Sequence, residues 1–186
     1  VNAEKCPMLR GDLILTPTCL RHEHAHDGSD PVIWLDVLDL PMVYYMEASY
    51  HINGERQKVE RVQSSKMYTR GGVVPSRVFD QNIKAYPMLR YAWTDVKAAL
   101  DAMASDEPTL EQVQVTYINP ETGGDAENIL GFYSLMLRPG QSLRLSARSP
   151  AQVFHVIEGA VEVSITESVF QLTEADTCCA PGYEAV

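Results

Sequence analysis

Two stretches of this chain, separated by most of its length, are built on one plan. Gly11-Asp12-Leu13-Ile14-Leu15-Thr16-Pro17 and Ala175-Asp176-Thr177-Cys178-Cys179-Ala180-Pro181 both set an aspartate one place in and a proline six places on. An aspartate suits a tight turn, and a proline cannot donate to a ladder, so each stretch reads as a short strand with both ends marked. The repeat predicts two copies of one β unit in a single chain. The copies then diverge: running on, His22 stands where the second has Val186.

The rest of the pattern agrees with a largely β chain. Leu13–Leu15 and Val32–Leu38 read as strands, the latter rich in β-branched and aromatic residues. The loop between them, 21–30, is polar and holds His22, His24 and His26 of the five histidines. Met42–Tyr50 is apolar and aromatic and fits strand or helix. From Asn53 to Arg77 the chain is polar, with Gly71-Gly72 and Pro75, and reads as a long surface connection. After Val113 the pattern is β again, with a strand over 130–137. A hairpin is expected in which Val153–Glu158 turns at Gly159 into Val161–Ile165, and another strand over 168–172. One helix is predicted over 94–104. Thr94 would cap it, Asp95 suits its first turn, and Val96, Ala99, Leu100 and Met103 fall at helical spacing before Pro108.

Charge excludes some functions. The 25 acidic and 15 basic side chains give a net charge of -10, which argues against binding nucleic acid or an anionic membrane through bulk charge. No apolar run is long enough to span a bilayer, and no signal peptide is visible. Cys6, Cys19, Cys178 and Cys179 form no CxxC pair and read as buried or half-buried thiols of a reducing cytoplasm.

The chemistry is concentrated in His22-Glu23-His24-Ala25-His26. Such a run can be a solvated loop, but neutral imidazole is also a ligand for Fe, Zn, Cu and Ni. The spacing from Gly11 and Pro17 distinguishes His22. Gly-x5-Pro-x4-His resembles the motif that carries the last metal-binding histidine of a cupin barrel. The following Asp30-Pro-Val-Ile-Trp-Leu-Asp36-Val-Leu-Asp39-Leu-Pro41, and Tyr117-Ile-Asn119-Pro-Glu-Thr-Gly123-Gly124 further on, look like the gentisate 1,2-dioxygenases and their salicylate-cleaving relatives. The likeness is looser over 50–92.

That resemblance implies an all-β bicupin, two double-stranded barrels with a short helical connection. Residues 1–52 would be the C-terminal part of a first, iron-type barrel, 53–112 the connection, and 113–186 a second, metal-free barrel incomplete at its C-terminus. It implies a cytoplasmic homo-oligomer that uses Fe(II) and O2 to open gentisate to maleylpyruvate. His22 would be an iron ligand, with His24 and Asp36 catalytic beside the substrate. The other two ligands of such a site come from an upstream His-x-His, and no histidine precedes His22. They are therefore expected before Val1, in a chain that is a fragment beginning inside the first barrel, and the fragment alone should be inactive. In the second barrel the ligand places hold Ser146, Arg148 and Val186, none an imidazole. His155 reads as a hydrogen-bonded core residue.

The chain departs from the family just before the ligand, where Thr18-Cys19-Leu20-Arg21 replaces a run that usually contains tryptophan. Arg21 beside the site could clamp a substrate carboxylate, although a residue alternating with His22 should face outward. His26 matches no family role and reads as solvated. Alternative functions are cleavage of salicylate or 1-hydroxy-2-naphthoate, which offer the same chelating carboxylate and hydroxyl. A metal-free bicupin acting as a binding or scaffold protein is a further alternative.

Overall fold

The computed structural model describes residues 1–62, 64–78 and 83–186, and residues 63 and 79–82 of the expected connection lie outside it. The fold is made of small sheets with few helices and divides into two units. One comprises Val1–Ala99 with Gln114–Ser134, the other Leu100–Val113 with Leu135–Val186. Among the described residues no helix is long and apolar enough to cross a membrane.

In the first unit β1 (Glu4–Lys5) and β2 (Leu13–Ile14) are followed by a short helix α1 (Leu40–Tyr45), then β3 (Arg61–Val62) and β4 (Arg90–Tyr91). β1 pairs β3 in parallel, and β2 pairs β4 antiparallel with Leu13 opposite Tyr91 and Ile14 opposite Arg90. Leu15 extends this pairing by donating its N–H to Leu89 O at 2.8 Å. Period-two alternation turns Leu13 and Leu15 to one side. There Leu15, Tyr117 and Ala126 form a buried cluster, with Tyr86, Tyr91, Val96 and Phe132 packed against it. The Tyr91 and Tyr117 rings meet edge to face at 5.6 Å, a favoured aromatic geometry.

The repeat's first aspartate organises this unit. Asp12 Oδ2 accepts from Arg90 Nε at 2.7 Å and from Leu9 N at 3.0 Å, and its side chain is only 3% exposed. Its Oδ1 accepts the N–H of Trp93 at 2.9 Å. A second polar cluster centres on the buried Glu121, which receives Tyr68 Oη, Arg77 Nη2 and, at 2.8 Å, Lys84 N. Asn119 orders the same turn, donating to Ala85 O at 2.9 Å and accepting from Glu121 N at 2.9 Å.

The predicted helix is present as α2 (Trp93–Asp106), starting one residue before Thr94. Thr94 is therefore no cap. The first N–H groups of a helix lack intrahelical acceptors, and the distant Asp12 serves the one on Trp93. At the other end no basic residue lies in the last turn. Arg138 supplies the cation instead, donating to Ala104 O at 3.3 Å, Glu107 O at 3.1 Å and Leu110 O at 2.7 Å.

β5 (Val113–Thr116) pairs with β6 (Tyr133–Met136). The second unit then carries β7 (Gln152–His155), β8 (Ala160–Ile165), β9 (Ser168–Thr173) and β10 (Thr177–Ala180) around a core of Val163, Ile165, Leu172 and Ala180. The hairpin expected at Gly159 does not form. β7 pairs with β10, His155 facing Thr177, and β8 pairs with β9, Ile165 facing Ser168. Gly159 still turns the chain, at φ +83°, but between two different ladders. His155 makes the expected hydrogen bond, Nδ1 to Thr177 Oγ1 at 2.9 Å, yet it is exposed rather than core.

One open reading is settled and two further expectations are corrected. Of strand or helix, Met42–Tyr50 takes helix at its start, within α1. Val32–Leu38 forms no strand, because an extended segment needs a neighbour for its N–H and C=O groups and none lies beside it among the described residues. Its apolar side chains lie open, Ile33 being 94% exposed. Cys19 and Cys179 are exposed, so only Cys6 and Cys178 are half-buried thiols, and burial raises the pKa of both.

Candidate active site

The histidine loop is held by its odd-numbered residues. Arg21 donates from its guanidinium to Glu55 O, and Arg21 O accepts from Asn2 N at 2.7 Å. Glu23 Oε2 accepts from Gln57 N at 3.3 Å, and Gln57 Oε1 in turn accepts from Ala3 N at 3.0 Å. A Cβ on residue 54 would press on the Arg21 guanidinium, so Gly54 leaves room for this contact as it stands. In an extended chain successive side chains point to opposite sides. With Arg21 and Glu23 tied to the 55–57 segment, His22 and His24 are presented together on the other side.

The two imidazoles meet edge to face with ring centroids 5.9 Å apart and planes at 77°. His24 also stacks on Trp34, with centroids 4.8 Å apart and planes only 20° from parallel. His26 turns back into its own loop, donating from Nε2 to Asp30 O at 2.7 Å. The site residues expected from the sequence thus divide. His22 and His24 come together, His26 does not join them, and Arg21 takes the outward, structural place. Asp36 is exposed and makes no hydrogen bond to either histidine among the described residues. Trp34 is the residue that sequence reasoning missed. Its only signal was an aromatic two places before Asp36, read as part of a strand.

The donor set tests the iron expectation. Among the described residues no group of three His, Cys, Asp or Glu side chains is placed to hold a metal. His22 has the right chemistry for one position of a three-imidazole site, and these residues do not complete it. In the second unit Leu145 and Val186 exchange both backbone hydrogen bonds, at 2.7 and 3.1 Å. Val186 itself packs against the core of that unit.

No family model matches the chain. Among curated proteins it is 67% identical, over all of its 186 residues, to a gentisate 1,2-dioxygenase of Ralstonia sp, covering 52% of that protein. It is 28% identical to a 5-aminosalicylate 1,2-dioxygenase of Comamonas sp, over 98% of this chain and 50% of that one. Among solved structures, a salicylate 1,2-dioxygenase variant from Pseudoaminobacter salicylatoxidans in complex with gentisate superposes with a TM-score of 0.76 at 27% identity. That match covers 96% of this chain and 52% of the other. The chain spans about half the length of the curated relatives it matches.

Proposed function

The chain is related over its whole length to the gentisate and salicylate dioxygenases, and on that premise we propose that its protein is an Fe(II)-dependent gentisate 1,2-dioxygenase. The 67% identity to the Ralstonia protein carries this reading. Residues 1–52 are then the C-terminal part of an iron-type cupin barrel, 53–112 the connection, and 113–186 a metal-free second barrel. The open apolar run over Val32–Leu38 is surface that such a barrel would bury. His22 supplies one imidazole to iron, the other donors lying outside these 186 residues. Bound iron would supply the electron relay and the chelation point for the substrate's carboxylate and adjacent hydroxyl.

The chain's own residues position and protonate. His24, beside His22, would hydrogen-bond the phenolic oxygen and give or take its proton as the ring opens between the carboxyl-bearing carbon and its hydroxyl-bearing neighbour. Both atoms of O2 end in maleylpyruvate, so no external reductant is consumed. Asp36 is the acceptor for a substrate hydroxyl. The Ser146, Arg148 and Val186 places leave the second barrel a structural and assembly role, in a homo-oligomer of the cytoplasm.

The test is anaerobic loading of the full-length protein with Fe(II), followed by O2 uptake and maleylpyruvate absorbance with gentisate. Salicylate and 1-hydroxy-2-naphthoate serve as competitors. Stoichiometric O2 consumption with gentisate is expected. Turnover of salicylate or the naphthoate alone would move the substrate, and no turnover of any would leave the scaffold reading.

A further inference from the structure

We propose that Trp34 is the positioning residue for His24, a role that rests on the reading of His24 as the proton-handling group. Three observations meet here. The His24 ring lies 20° from parallel to the Trp34 indole at 4.8 Å, a stack and not a glancing contact. The loop that carries His24 is fixed from its other side, through Arg21 and Glu23, which sets the backbone but leaves rotation about the side chain's own bonds free. The remaining ring contact, with His22, is edge-on at 77° and does not confine the imidazole plane.

An indole face is large, rigid and electron-rich, so it holds a flat ring by dispersion in an offset stack. A histidine that must present one nitrogen to a substrate oxygen loses rate steeply when its plane wanders. Trp34 is 46% exposed, so its face is available to the imidazole and is not consumed in the core. The nearly parallel planes leave the His24 ring nitrogens at the rim of the stack, where a substrate oxygen can approach edge-on.

The experiment uses full-length protein with ring-labelled histidine, iron-free for NMR and iron-loaded for kinetics, as wild type, W34F and W34A. The indole should shift the His24 ring protons upfield, and W34A should move them back. The same variant should lower kcat for gentisate by about 10- to 100-fold with KM little changed. W34F keeps an aromatic face and should restore most of both. An unmoved His24 resonance in W34A overturns the proposal. So does a moved resonance with unchanged kcat, or a W34F variant as slow as W34A with its His24 resonance still shifted upfield. If the wild type does not turn over gentisate at all, the functional reading fails, and the NMR arm alone decides whether Trp34 fixes the imidazole.

Discussion

Asp12 Oδ1 accepts the backbone N–H of Trp93 at 2.9 Å, so the first turn of α2 is served by a carboxylate from the start of the first repeat stretch, 81 residues earlier in the sequence. The same side chain meets Arg90 Nε at 2.7 Å and is almost wholly buried. Replacing it strands a guanidinium and an orphan N–H together. D12A should cost about 3 kcal/mol, and D12N, which keeps one acceptor, clearly less. Urea unfolding of both variants measures this, and equal losses would mean that charge and capping do not share the one carboxylate.

Glu121 makes stability depend on acid. Burial alone would raise its carboxyl pKa, but hydrogen bonds from Tyr68 and Lys84 N, with the Arg77 guanidinium, hold it below the ordinary value of 4.5. A carboxyl lowered in the folded state stabilises fully above its unfolded value, and that stability is lost as pH falls through the folded one. E121Q should be less stable than wild type at pH 7 and lose less on acidification. Parallel acid-unfolding curves for the two proteins would contradict this.

Tyr91 acts at the opposite limit. Burial pushes its phenol up to about 12 from an ordinary 10.0, and its Oη donates to Ile118 O at 2.8 Å. A raised folded value means that its contribution is complete below pH 10 and disappears between about 10 and 12, where only the unfolded chain ionises readily. Y91F should flatten that part of the stability curve, read as the urea midpoint at pH 8 against pH 11. An unchanged slope would show the phenol to be free to ionise in the fold.

His22→Ala in the full-length protein should abolish stoichiometric iron and ring cleavage together, because metal affinity depends on every imidazole of the set. The 186-residue chain alone, with no three-ligand group among its described residues, should bind Fe(II) well below one equivalent. Metal analysis after gel filtration reads both. Near-stoichiometric iron in the chain alone would mean that His22, His24 and His26 regroup into a site of their own.

Legibility followed the range of the forces involved. The α2 helix was readable because Val96, Leu100 and Met103 mark one face locally, while its N-terminal partner was not, since Asp12 lies far away in sequence. The pairing of His22 with His24 was readable from alternation along a single extended segment. The Trp34 stack was not, because it joins two segments across a polar loop. Gly159 marks its turn in the sequence, but the ladders on either side are set by other partners, β10 for β7 and β9 for β8. The true hairpin turns at Thr166-Glu167, with Thr166 at φ +54°, where no glycine or asparagine announces it.

That hairpin sits inside another pairing, and the nesting has a kinetic side. β8 and β9 join across a two-residue turn between Ile165 and Ser168, whereas β7 must find β10 with this whole hairpin between them. Contacts between near neighbours cost little chain entropy to close, and those between distant residues cost more unless the intervening chain has already shortened itself. The inner ladder should therefore form before the outer one can zip. Substitutions at Thr166 should slow refolding, and those at His155 or Thr177 should chiefly speed unfolding, in the two arms of a chevron plot. A late, low-barrier outer ladder also makes the 177–180 strand the first part of this unit to open.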